Sequence, residues 1–115
     1  MLIAQSNNRM VESSHQSEME ELQKHSAEAA GLLKQLSNQN RLMILCSLIN
    51  GELSVTQLNQ VTHLSQSALS QHLASLRKAE LVQTRREAQT IFYSLRGDEA
   101  IQIITVLKSI YCPTL

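Results

Sequence analysis

From Met19 onward, Met19, Leu22, Ser26, Ala29, Leu33 and Leu36 follow one another at alternating spacings of three and four, which predicts one helical face. Gly31 weakens that helix by roughly 1 kcal/mol relative to Ala. With Ala27, Ala29 and Ala30 it also leaves a small-residue surface that another helix can approach closely. Ser37 or Asn38 then caps a second helix with a stripe of Leu42, Leu45, Cys46 and Ile49, and Gly51 supplies the stop. Ser54 caps a short third helix with Val55, Leu58 and Val61 inward. After a tight connection at His63-Leu64, Ser65 caps a fourth helix that turns Leu69, Leu73 and Leu76 inward. Its other face is Gln66, Ser67, Ser70, Gln71 and Ala74.

The period then changes. Leu81–Arg86 and Gln89–Leu95 are rich in β-branched and aromatic residues and predict a hairpin, with Glu87-Ala88 between the strands as a poor turn by composition. A last helix follows over Asp98–Tyr111. Its apolar residues cover an arc of roughly 220°, where an ordinary surface helix needs little more than ~100°. Either this helix is central to its own fold, or the surplus face is a subunit interface. Its terminal position favours the interface.

Composition sharpens the class. At 115 residues and 43% hydrophobic, the chain suits one folded domain. Three Gly and one Pro supply too few turns for a sandwich or barrel, so a mainly α fold with a small β-hairpin is expected. Aromatics at 3% are too sparse for a surface that stacks single-stranded bases. Residues 1–17, rich in Ser, Asn and Gln, are expected to be a flexible tail, helical near its end, with the folded domain over 18–115. The longest apolar run, Leu42 to Cys46, is far short of a membrane span, and Met1–Ala4 turns polar at Gln5, so no membrane role and a cytoplasmic location are expected. In such a compartment Cys46 and Cys112 are thiols unless their oxidation is the function.

Charge balances at ten against ten but is unevenly placed. Residues 1–36 hold three basic and five acidic side chains, and residues 63–96 hold five basic and two acidic. That local basic excess is either a mixed solvated surface or a footprint for nucleic acid. The helix pair points to the latter. A short helix, a tight turn and a second helix with a polar outer face match a helix-turn-helix. Ser and Gln side chains suit the major groove, since Gln can bond adenine edges in two places and Ser both donates and accepts. A following hairpin with Arg85-Arg86 makes the unit a winged helix-turn-helix, whose wing can hold backbone or minor groove. No Ser/His/Asp grouping, Gly-rich phosphate loop or carboxylate pair stands out, so an enzyme is not expected.

The run Leu64-Ser65-Gln66-Ser67-Ala68-Leu69-Ser70-Gln71-His72-Leu73-Ala74-Ser75-Leu76-Arg77 resembles the recognition-helix signature of the ArsR/SmtB family of dimeric winged-helix regulators. Asn40–Leu45 resembles the family's second-helix motif, and with Arg85–Tyr93 the resemblance covers about residues 20–112. It implies a homodimer through first and last helices, here Leu22, Ala29 and Leu33 with Ile104, Leu107 and Tyr111. It also implies double-stranded DNA as partner, at a near-palindromic operator. On it the contacts fall to Ser65, Gln66, Ser67, Ser70, Gln71, His72 and Arg77 of the helix and Arg85, Arg86 and Gln89 of the wing.

Metal-sensing members place a Cys-x-Cys pair in the third helix, where this chain has Ser54 and Thr56, or Asp and His in the last, where it has Asp98 and Glu99 but no His. His15, His25, His63 and His72 form no i, i+4 pair, and two distant cysteines under-supply zinc, so no metal or other cofactor is expected. A Cys on the second helix and another ending the last, with the wing run Arg86–Tyr93, resembles instead the HlyU/BigR/SqrR-like subgroup. There the two corresponding cysteines react with oxidants or reactive sulfur species. The resemblance thus implies Cys46 and Cys112 as a redox-sensing pair. The alternatives are a constitutive regulator opposing a nucleoid silencer, with incidental cysteines, and a winged-helix protein-interaction module.

Overall fold

The computed structural model describes residues 14–114, so residues 1–13 of the expected tail lie outside the described residues. Residues 14–24 form helix α1. Then come α2 (Ser26–Leu36), α3 (Gln39–Ser47), β1 (Leu53–Ser54), α4 (Val55–Thr62), α5 (Gln66–Lys78), β2 (Val82–Glu87), β3 (Thr90–Leu95) and α6 (Glu99–Tyr111). The fold is the expected mainly α winged helix-turn-helix. It divides into two compact units, one ending at Leu33 and the other Lys34–Leu115.

In the first unit, the continuous helical face expected from Met19 is broken at His25. There the Ser26 hydroxyl donates to the Gln23 carbonyl at 3.0 Å, a local bond of the kind that competes with the helix ladder. Met19, Leu22 and Leu33 stay exposed and Ala29 is half-buried.

In the second unit, short polar side chains start three helices. Asn38 accepts from the Arg41 amide, Ser54 and Gln57 close a reciprocal capping box, and Ser65 accepts from the Ala68 amide. The core gathers Ile44, Leu45 and Leu48 around α3, Leu58 from α4, Leu69, Leu73 and Leu76 from α5, and Ala100 and Ile104 from α6. Fully burying each such leucine contributes about 1.5–3 kcal/mol.

Several positions differ from expectation. Helix α3 ends at Ser47, ahead of Gly51, and Ile49 lies in the turn beyond it. Its buried stripe runs through Ile44 and Leu45, which leaves Cys46 half-buried at the rim. Val61 is 54% exposed, because the eight-residue α4 turns only Leu58 fully inward. The hairpin loop is Ala88-Gln89 rather than Glu87-Ala88, since Glu87 pairs with Thr90. The two-residue strand β1, not expected from the sequence, makes the sheet three-stranded in the order β1-β3-β2.

Candidate nucleic-acid interface and cysteine pair

The turn between α4 and α5 is set by backbone and side chain together. His63 takes the left-handed conformation at φ 57°, and the Asn59 amide donates to the Leu64 carbonyl at 2.6 Å. Asn59 escaped the sequence reading because nothing local separates it from any other exposed helical amide. With the turn fixed and Leu69, Leu73 and Leu76 buried, α5 presents Gln66, Ser67, Ser70, Gln71 and Ala74 to solvent. Ser65 accepts from the Ala68 amide with its oxygen, and its hydroxyl lies 3.4 Å from that of Ser67. His72 is half-buried at the edge of this face. Arg77 is exposed at the far end of the helix. It lines an open cleft of about 390 Å³ with Ser70, Lys78 and, across from α5, Tyr93 of β3.

Register decides where the wing arginines point. Val82 pairs with Leu95, Thr84 with Tyr93 and Arg86 with Ile91, and paired residues share a sheet face. That face begins at buried Val82 and includes Tyr93 of the cleft, so Arg86 lies on the recognition-helix side. Arg86 makes no ion pair among the described residues. Arg85, one residue earlier, is on the opposite face. Its guanidinium lies 4.6 Å from the Phe92 ring centre. It donates to both Glu52 carboxylate oxygens at 2.6 and 3.2 Å and to Glu87 at 3.1 Å. These bonds hold the Glu52 carboxyl below the usual carboxylate range and raise Arg85 further still. Both arginines are expected on DNA from the sequence; Arg85 is engaged within the protein, whereas Arg86 has no ion-pair partner among the described residues. Gln89 sits exposed in the hairpin loop next to Ala88, whose φ is 55°.

The recognition helix is tied at its inner side as well. Ser75 donates to the Gln35 side-chain oxygen at 3.0 Å. Arg41 reaches back to the carbonyls of Gln35 and Lys34, both at 3.0 Å, at the end of α2, where the Lys34 carbonyl also accepts from the Ser37 amide and hydroxyl.

Cys46 lies in α3 and Cys112 is the C-cap residue just past α6, and these two helices pack together. Burial pushes the Cys46 thiol above its ordinary range, against a smaller opposing pull from the Lys108 ammonium of α6. Cys112 follows Lys108 by one turn, its amide donating to the Lys108 carbonyl at 2.7 Å. Both cysteines are free and half-buried. No cluster of three metal-ligating side chains occurs among the described residues. Of the residues expected at a subunit interface, Ile104 is 1% exposed and serves the chain's own core, Leu107 is half-buried and Tyr111 is 77% exposed. Val106 and Ile110, members of the same wide apolar arc, are 56% and 60% exposed.

Residues 38–84 match the bacterial regulatory protein, arsR family, profile. The transcriptional activator HlyU of Vibrio cholerae serotype O1 is 52% identical over 94 residues, covering 82% of this chain and 87% of the relative. The biofilm growth-associated repressor of Xylella fastidiosa is 43% identical over 93 residues, covering 81% and 82%. The structure of reduced HlyU from Vibrio cholerae superimposes with a TM-score of 0.75 at 53% identity, over 80% of this chain and 97% of that one. One relative is a transcriptional activator and the other a repressor. Helix-turn-helix, wing and relatives agree: the chain belongs to the arsR family of bacterial regulatory proteins and is a DNA-binding transcriptional regulator.

Proposed function

We propose that the chain acts as a homodimer on a near-palindromic duplex operator and that thiol chemistry at Cys46 and Cys112 switches its affinity. The observation that carries the switch is the packing of α3 on α6, with Cys46 within reach of the Lys108 charge one turn from Cys112. That a relative's structure is described as reduced supports thiol chemistry in the subgroup. A cysteine thiolate attacks the sulfane sulfur of a persulfide and expels a thiolate. The second thiolate attacks the resulting cysteine persulfide, forming the Cys–Cys bond and releasing hydrosulfide. Cys46, with its raised pKa, is the poorer first nucleophile. Cys112 therefore attacks first and Cys46 resolves. A link between α3 and α6 changes the spacing of the two recognition helices in the dimer and weakens operator binding.

Pairing is supported by the exposed Val106, Ile110 and Tyr111 of α6 and, in the first unit, by exposed Leu22 and Leu33. Gln66, Ser67, Ser70 and Gln71 read bases, Arg77 and Arg86 hold phosphate, and half-sites lie about one helical turn, ~34 Å, apart. Intact mass and operator affinity before and after a polysulfide donor test this. The expected product has lost two hydrogen atoms, carries whole sulfur atoms if the bridge is extended, and binds DNA more weakly. Protein that gains no intramolecular link and keeps its affinity has incidental cysteines.

A further inference from the structure

The guanidinium of Arg85 spans the sheet. Arg85 stands on β2, opposite Phe92 of β3, and Phe92 in turn stands opposite Ser54 of β1. The side chain crosses over the Phe92 ring and ends on Glu52, just ahead of β1 and of the Ser54 cap that starts α4. One side chain therefore joins the outer strand of the wing to the first residues of the helix-turn-helix. It does so on the sheet face away from the recognition helix. The strap adds a side-chain tie to the short backbone pairing of β1 with β3.

We infer that Arg85 and Glu52 are positioning residues for DNA binding: their two-toothed ion pair over Phe92 sets the pose of the wing, and Arg86 makes the phosphate contact. This rests on the wing's role in the DNA-binding reading above. A guanidinium fork on a carboxylate fixes orientation as well as distance, which a lysine's point charge cannot do. The opposite assignment, Arg85 as a phosphate contact restrained by Glu52, makes opposite predictions. Removing the Glu52 charge would then leave Arg85 held by Glu87 alone, a looser restraint, and tighten binding. Under the positioning role the same change weakens binding although it makes the protein more basic.

The test uses the full chain and a duplex selected by the parent protein from a random-sequence pool. Glu52→Gln, Arg85→Gln and the double variant are compared in affinity, in its salt dependence, and in amide exchange over residues 85–91. The expected result is about fivefold weaker binding for each single variant, the scale of one well-formed exposed ion pair. The double should be no weaker than either single, as for two partners of one interaction. The slope of log affinity against log salt should equal the parent's, and wing amides should exchange faster in all three. Tighter binding by Glu52→Gln, a slope reduced by about one in Arg85→Gln, or parental affinity in every variant overturns the inference. A parent that selects no duplex overturns the DNA-binding reading instead. Unchanged wing exchange in that case removes the strap as well.

Discussion

The Ser75 hydroxyl, on the inner side of the recognition helix, donates at 3.0 Å to the side-chain oxygen of Gln35, forty residues earlier and one residue before the end of α2. Arg41 caps that same helix end, so one end of α2 is held by α3 through backbone carbonyls and by α5 through a side chain. Ser75→Ala should lower unfolding free energy by about 1 kcal/mol. Gln35→Ala should do the same, and the pair should be less than additive in denaturant titrations. Strict additivity would mean that the bond contributes nothing.

Arg86→Ala should weaken binding to all duplex sequences alike and flatten the salt slope by about one, because it removes one phosphate contact and no base contact. Equal slopes for variant and parent, measured by titration at several salt concentrations, would show that the wing does not grip the backbone through this side chain.

Helix α6 separates two kinds of hydrophobic residue. Ile104→Glu places a carboxylate in the chain's own core and should prevent folding. Ile110→Glu, at a position 60% exposed, should leave the fold intact and yield a soluble monomer. Sedimentation of Ile110→Glu decides the matter: a dimer with parental DNA binding places the interface elsewhere.

Cys46 should react slowly with a thiol-specific alkylating reagent at neutral pH, and its rate should rise about tenfold per pH unit until the medium passes the raised pKa. Since Lys108 opposes the rise, Lys108→Gln should push the thiol higher still and slow the reaction at any pH below that point. Mass spectrometry of the Cys112→Ser variant isolates Cys46. A faster reaction in the Lys108→Gln background would contradict the opposing charge.

What the sequence made legible was local. Ser54 and Ser65 before their helices and Leu69, Leu73, Leu76 at helical spacing each carry their signal within a few residues, and the structure agrees with each. The errors lie where the partner is distant or absent. Strand β1 is two residues long and acquires its identity from Tyr93 and Phe92, some forty positions away. Glu52 claims Arg85 across thirty-three positions, which no period in the chain announces. Ala88 adopts φ 55° without the glycine or asparagine that marks such a turn, so composition points to a turn one residue too early.

That turn has a bearing on how the wing can change in length. Its two residues, Ala88 and Gln89, close a ladder in which Arg85 and Arg86 face opposite ways. Adding one residue to β2 alone, between Val82 and Arg85, would reverse the faces of both arginines, carrying Arg86 onto Glu52's side and Arg85 towards the recognition helix. A lengthened wing that keeps its strap and its free cation must therefore grow by matched insertions, one in each strand, placed beyond Arg86 towards the tip. Comparative or engineered series of wing lengths should respect that parity, and chimeras that violate it should lose DNA binding while remaining folded.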